Sequence, residues 1–341
     1  MLFERHPENP IVVAGLYDWR RCVTFNPAVV RDDKGTFFML ERACAGLSPI
    51  RSCMGLLRSD DGVHFKHVVD RPVFTGDMLG FPQGSVQDPR LVRLDNRWVL
   101  VFVADQDAPH CYPTGVGVPG YNHPNLDYQA LGDEKFLQLV LARSGIAVSD
   151  DLINWELIGW IGPESLDDRD NIPFPEKIKG KYAMLRRPMS YVGEKYGTKG
   201  PGMWLSYSAD LKSWTEPELV AGPELDWEGQ KIGGSAPPLR TEAGWLVSYH
   251  GVDRHSCYRT GFLLLDLKNP TKVLGRTQKP VLSPEAYYER FGLVIPNVVF
   301  PCANVIHNGR IYLYYGCCDT SIALATCRLD DLLEVVVREK V

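Results

Sequence analysis

The chain has 341 residues, 45% of them hydrophobic and 23% charged, with a formal net charge of −5. That fits a soluble globular protein with enough core for one large domain or two smaller ones. The acidic balance and few basic clusters speak against nucleic acid as a partner, and no apolar run approaches the roughly 18 residues of a membrane span.

The N-terminus, Met1-Leu2-Phe3-Glu4-Arg5-His6-Pro7, lacks the apolar core of a signal peptide. The nine cysteines sit mostly inside apolar runs, as at Cys22, Cys44, Cys302, Cys317 and Cys318, and no Cys-x-x-Cys pair occurs. Reduced core cysteines in a cytoplasmic protein, with no metal site, are the expectation.

Taken in order, the chain repeats one pattern. A Pro near an Asn, Asp or Ser opens an apolar strand, a polar turn follows, and a second strand rich in aromatics returns. The first copy is Asn26-Pro27-Ala28-Val29-Val30, a turn at Asp33-Lys34-Gly35, then Phe37 to Leu40. The second is Asp88-Pro89-Arg90-Leu91-Val92, a turn at Asp95-Asn96, then Trp98 to Phe102. The third runs over residues 173–178, turns at Lys179-Gly180 and returns from Tyr182 to Leu185. The fourth is Ala236-Pro237-Pro238-Leu239, with a turn ending at Gly244 and a return from Trp245 to Tyr249. The fifth spans residues 300–306, turns at Asn308-Gly309 and returns from Ile311 to Tyr315. The turns carry the Gly, Asn and Asp that tight hairpins need for positive φ.

A second hairpin follows each of these. In the first three copies it is built on a Ser-Asp turn ahead of an aromatic, at residues 56–65, 146–155 and 205–214. Residues 262–273 and 322–329 take that place in copies four and five. Two hairpins per unit make four strands, and radial repetition of four-stranded sheets is a β-propeller. The pattern therefore predicts an all-β, five-bladed β-propeller with four-stranded antiparallel blades, one domain over residues 1–341. A β-sandwich with coincidental turns is the alternative. Helix is scarce, residues 284–291 being the best candidate. An insertion from about 105 to 143, rich in Pro, Gly, Tyr and His, is expected to form a lid over the central pocket. His110, Cys111 and His123 fall within it without metal-ligand spacing. Residues 191–202 form a shorter insertion.

The first strand of each blade lines a propeller's channel, so residues at its ends converge on one mouth. They are Asn26, Arg42, Asp88, Arg90, Arg169, Asp170, Arg187, His250, Tyr258 and Asp319. The Pro after Asp88 disfavours helix there, so Asp88 is expected in a loop at a strand entrance. Singly, an Arg or Asp at a strand end is often a structural ion pair, and His250 fits a satisfied core histidine. Together they describe a pocket with strong cations, suited to a sugar beside an oxyanion such as phosphate. Tyr112, Tyr121 and Trp204 are candidates to stack on sugar rings.

The motifs "FNPAVV…FFMLERA", "QDPRLV", "IPFPEKIKGKYAMLRRP", "SAPPLRTEAGWLVSYHGV", "GFLLLDLKNPTKVLGR" and "IPNVVFP…IYLYYGCCD", in that order, resemble glycoside hydrolase family 130. The resemblance covers residues from about 10 to about 328. It implies a five-bladed propeller enzyme acting on β-mannosides, mostly by inverting phosphorolysis. It implies that Asp88 is the catalytic general acid and that Asn26, Arg42, Arg90 and Asp319 bind the sugar. Arg169, Arg187, His250 and Tyr258 match its phosphate-binding positions. Gln87 departs from the Glu that many members carry before the Asp. The implied reaction joins a mannosyl unit to phosphate, giving α-mannose 1-phosphate, or runs in reverse. β-1,2-mannooligosaccharides are the expected substrates, inorganic phosphate is the co-substrate, no other cofactor is implied, and self-association is allowed. A hydrolase, a mannosyltransferase using mannose 1-phosphate or a nucleotide sugar, and a non-catalytic sugar-binding propeller stay open as alternatives.

Overall fold

The computed structural model describes residues 2–47, 49–106, 108 and 142–338. Its strands form five antiparallel sheets, one per blade. Blade one holds β2 (Val23–Arg31), β3 (Phe37–Cys44), β4 (Cys53–Ser59) and β5 (Lys66–His67). Blade two holds β6 (Ser85–Leu94), β7 (Arg97–Asp105), β8 (Arg143–Ser149) and β9 (Glu156–Ile161). Blade three holds β10 (Asp168–Pro173), β11 (Tyr182–Pro188), β12 (Met203–Ser208) and β13 (Glu218–Ala221). Blade four holds β14 (Lys231–Gly234), β15 (Leu239–Arg240), β16 (Trp245–Val252), β17 (Tyr258–Leu265) and β18 (Val273–Arg276). Blade five holds β19 (Val299–His307), β20 (Arg310–Cys317) and β21 (Ser321–Arg328), and β1 (Glu4–Arg5) completes it from the other end of the chain.

That last pairing closes the ring, with Glu4 opposite Thr326 and Arg5 opposite Ala325. Side chains lock the closure. The Arg5 guanidinium donates from Nε and Nη2 to the two oxygens of buried Glu289, each at 2.8 Å. Phe3 is buried and stacks on Phe262 at 5.9 Å between ring centroids, a burial that contributes roughly 1.5–3 kcal/mol.

The expected five-bladed propeller is the fold. The hairpin turns follow the sequence: Asp95-Asn96, Lys179-Gly180 and Asn308-Gly309 all have positive φ at both positions. Four local readings need correction. The inner strand of blade three is Asp168–Pro173, one step ahead of the run at 173–178, which forms the turn region before Lys181. The inner strand of blade four is split into β14 and β15 around Ser235 to Pro238, because two adjacent prolines supply no N–H to the ladder. Asp88 lies inside β6, not in a loop before it. A C-terminal helix, Leu329–Arg338, packs buried Leu332 and Val336 against the blade four and five core. The predicted short helix forms at Tyr287–Arg290. The insertion between Asp105 and Arg143 joins β7 to β8; its residues 107 and 109–141, including His110, Cys111, Tyr112, Tyr121 and His123, lie outside the described residues.

Candidate active site

The innermost strands β2, β6, β10, β14 and β19 pack around the axis. Four of them slip register; β19 does so between Pro301 and Ala303 without a positive φ, and the other three share one irregularity. The register slips between Phe25 and Ala28, between Gln87 and Arg90, and between Arg169 and Ile172. At each slip stands a residue with positive φ: Asn26 at 45°, Asp88 at 46° and Asp170 at 50°. Asn and Asp tolerate this left-handed region better than other side-chain-bearing residues. A bulge bends its strand and re-aims one side chain, so these polar groups are turned out of the ladder toward one place.

On one side of the site, Asn26 Nδ2 and Arg42 Nη1 both donate to Oδ1 of Asp88, each at 2.8 Å. With two donors on Oδ1, the carboxylate is fixed in orientation through that oxygen. Arg42 is itself fixed: its Nε donates to Ser52 Oγ at 3.0 Å and its guanidinium lies 4.4 Å over the Phe25 ring. Arg90 is 1% exposed; its Nη1 donates to the Asp88 carbonyl at 2.9 Å. That bond braces the bulge, while Arg90 Nε and Nη2 make no hydrogen bond among the described residues. Asp319 stands in the Cys318-Asp319 turn after β20, both residues at positive φ. Burial foremost, and then nearby Asp88, push its carboxyl up to about 7 against the pull of Arg42.

On the other side the groups are cationic. Arg169 and Arg187 face each other directly across the β10–β11 pair. Like charges in that relation repel unless an anion comes between them. Arg169 is held by a fork to Asp167 at 2.6 and 2.7 Å. Arg187 Nη1 lies 2.8 Å from Asp170 Oδ2 and 3.3 Å from His250 Nε2. Because an Arg can only donate, this assigns the His250 proton to Nδ1, which faces Ser235 Oγ at 3.4 Å. Burial, then Arg187, Lys231 and Arg90, lower the His250 pKa well below its ordinary value, so the ring is neutral. Tyr258 stacks 5.8 Å from the His250 ring, and Lys231 Nζ lies 5.7 Å from the Tyr258 ring. The Lys231 amine is also pushed well down, first by burial and then by Arg187, with Asp170 opposing.

Asn26, Arg42, Asp88, Arg90, Arg169, Asp170, Arg187, His250, Tyr258 and Asp319 are therefore brought together at one site. Trp204 is not among them: it is 6% exposed and packs edge-on against Tyr191 at 5.3 Å, as core. Lys231 and Asp167 escaped the sequence reading. Lys231 begins the short, glycine-containing β14, which the repeat pattern placed several residues too late. Asp167 precedes β10 for the same reason. Among the described residues no group of three or more His, Cys, Asp and Glu could hold a metal ion.

A propeller whose inner bulges set two carboxyl groups, Asp88 and Asp170, beside a cation cluster suits a sugar next to an oxyanion. A family model for glycoside hydrolase family 130, described as beta-1,4-mannooligosaccharide phosphorylase, matches residues 142–338, and the chain belongs to this family. It is 33% identical over 321 residues to 1,2-beta-oligomannan phosphorylase of Thermoanaerobacter sp. (strain X514), covering 92% of this chain and 93% of that one. It is 33% identical over 323 residues to beta-1,2-mannobiose phosphorylase of the same organism, covering 91% of each. Its fold matches that of beta-1,2-mannobiose phosphorylase from Listeria innocua, solved with beta-1,2-mannobiose, with a TM-score of 0.76 at 23% identity over 99% of this chain and 100% of that one.

Proposed function

We propose that the protein is a β-mannoside phosphorylase that transfers a mannosyl unit between a β-1,2-mannooligosaccharide and phosphate, with inversion to α-mannose 1-phosphate. The observation that carries this reading is the pairing of Arg169 with Arg187 across two strands, beside Asp88, whose Oδ1 is held by Asn26 and Arg42. An inverting hydrolase needs a second carboxylate to activate water. A phosphorylase needs only the acid, since phosphate is already an anionic nucleophile. The cations position it and offset its charge.

In this reading Asp88 delivers the proton that the leaving sugar oxygen requires. Asn26 and Arg42 fix the acid's orientation, Arg90 holds its backbone, and Asp319 binds hydroxyls of the transferred mannosyl unit. Arg169, Arg187, Lys231 and Tyr258 hold phosphate on the far side of the sugar, with neutral His250 ordering Arg187. No cofactor beyond phosphate is required. The β-1,2 linkage is favoured because the two relatives 33% identical over more than nine-tenths of the chain carry β-1,2 names. A beta-1,4-mannooligosaccharide phosphorylase, 41% identical, matches half of the chain, and a 4-O-beta-D-mannosyl-D-glucose phosphorylase matches 91% of it at 24%.

The test is release of sugar from β-1,2-, β-1,3- and β-1,4-mannobiose with and without inorganic phosphate, following mannose 1-phosphate. Phosphate-dependent α-mannose 1-phosphate from the β-1,2 disaccharide is expected. Free mannose at an equal rate without phosphate would overturn the proposal and make the protein a hydrolase.

A further inference from the structure

Two groups in the cation cluster have the wrong sign for an anion site; Asp167 is tied up by its fork to Arg169, and Asp170 is not. Asp170 occupies the third inner bulge, at the backbone position equivalent to Asp88. It is 5% exposed, and its Oδ2 is buried and accepts no hydrogen bond among the described residues. Arg187 Nη1 approaches that oxygen at 2.8 Å, but out of line for a hydrogen bond. His250 Nε2 stands 3.4 Å away, and with its proton on Nδ1 it offers Oδ2 nothing. Arg90 Nη2 comes only to 3.8 Å of Oδ1.

The surroundings keep this oxygen where it is. A Cβ on Gly233 would lie 2.6 Å from Asp170 Oδ2 and 2.7 Å from His250 Cε1, so the glycine is what lets the two groups meet. A buried acceptor without a donor costs free energy. Here it is placed beside the groups read above as holding phosphate, where such a group would ordinarily repel the ligand.

Hydrogen phosphate differs from sulfate in one respect that matters to a carboxylate. It carries a P–OH donor, whereas sulfate, of the same charge and similar size, presents only acceptors. We infer that Asp170 accepts the P–OH hydrogen bond of hydrogen phosphate and so makes the anion site selective for a protonated oxyanion. This rests on the phosphorylase reading above and deepens it. Toward sulfate, the Asp170 lone pairs meet lone pairs, a repulsive element aimed at the wrong ligand. Sites built to hydrogen-bond a hydroxyl reject the analogue that lacks it by large factors, because the buried partner is left unpaired.

The experiment measures inhibition of phosphorolysis by sulfate and by monofluorophosphate, a phosphate dianion whose hydroxyl is replaced by fluorine, and turnover with arsenate, which keeps its hydroxyl. If the wild-type protein forms no mannose 1-phosphate from phosphate, the phosphorylase reading fails before Asp170 is in question. Given phosphate-dependent turnover, arsenate is expected to substitute for phosphate. Sulfate and fluorophosphate are expected to bind at least about tenfold more weakly than phosphate. In Asp170→Asn the amide can donate to sulfate, so the sulfate inhibition constant should fall and the phosphate KM rise, shrinking their ratio about tenfold or more. Sulfate or fluorophosphate binding to the wild type as tightly as phosphate would overturn the inference, and that arm stands even where the variant does not fold. An unchanged ratio in a folded Asp170→Asn would overturn it too.

Discussion

Two polar devices recur around the ring, one at the outer hairpins and one on the inner strands, and they differ in what they repeat. At the outer turns both residues and bonds recur. Asp61 accepts from the N–H groups of Val63 and His64, Asp151 from Ile153 and Asn154, and Asp210 from Lys212 and Ser213. Asp266 does the same in blade four, toward Lys268 and Asn269, without the Ser that precedes the others. On the inner strands only the backbone recurs. Asn26, Asp88 and Asp170 share φ values of 45°, 46° and 50° and a register slip. Their side chains are an amide donor, an acid held through one oxygen and a carboxylate among cations. A turn tolerates only residues that accept its N–H groups. A bulge supplies its geometry through the backbone, which leaves the side chain to specialise. Divergence at equivalent backbone positions therefore marks the chemistry, and sameness marks the scaffold.

The sharpest test of that division is Asp88→Asn. It keeps the shape and the tolerance for positive φ but removes the proton. Loss of the general acid should lower kcat by about 10²- to 10⁴-fold, with mannoside affinity, read by calorimetry, largely kept. Turnover at the wild-type rate would remove Asp88 from the mechanism. Next comes Arg187→Gln on the cationic side. Losing a charge-assisted bond of about 1.5–3 kcal/mol should raise the phosphate KM roughly 10- to 100-fold and leave the mannoside KM nearly unmoved. Equal rises in both would mean that the site is not divided between sugar and anion as drawn here.

Asp319 offers a smaller effect with a defined pH window. Its carboxyl is raised from 3.8 to about 7 in the folded protein. The folded state thus binds this proton more tightly than the unfolded chain does. The resulting penalty on stability begins as pH rises past 3.8 and is complete above about 7. Binding runs the other way, since the ionised carboxylate is the better acceptor for sugar hydroxyls. The mannoside KM should therefore rise as pH falls through about 7. Asp319→Asn should flatten that dependence and raise the Tm at pH 8 while weakening sugar binding. A variant that keeps the wild-type pH profile would place the ionisation elsewhere.

How much of this was legible in the sequence depended on which interactions are local. The hairpins were, because Asp95-Asn96, Lys179-Gly180 and Asn308-Gly309 encode positive φ within two residues. The inner bulges were not. A Pro after Asp88 excludes the right-handed helical region but leaves extended and left-handed backbone both open, and the register slip that chooses between them involves β7. Lys231 was hidden because its strand is four residues long and carries two glycines; a pattern that counts apolar alternation passes over it. Those glycines are informative only in three dimensions, Gly233 being where Asp170 and His250 close in. Trp204 was misplaced for the opposite reason, because Tyr191 and Tyr196, which cover it, come from an insertion outside the repeat. The C-terminal helix did have a signal, with Leu329, Leu332, Leu333 and Val336 at helical spacing, but it lay beyond the last repeat.

The smallest predicted effect is the control for the comparison. Asp151 accepts the N–H groups of Asn154 and Ile153, which hold its carboxyl down to about 2 from 3.8. Its contribution to stability is present above 3.8 and is lost as pH falls toward 2. The group is exposed, so Asp151→Ala should cost less than about 1 kcal/mol, read as a small fall in the urea midpoint at pH 7. The difference from wild type should shrink on acidification, since both proteins then lack the carboxylate. The kinetic constants for mannoside and phosphate should not move. A change in kcat would mean that a scaffold turn at the rim communicates with the bulges at the axis. The separation between the repeated device and the diverged one would then be wrong, however well each is formed.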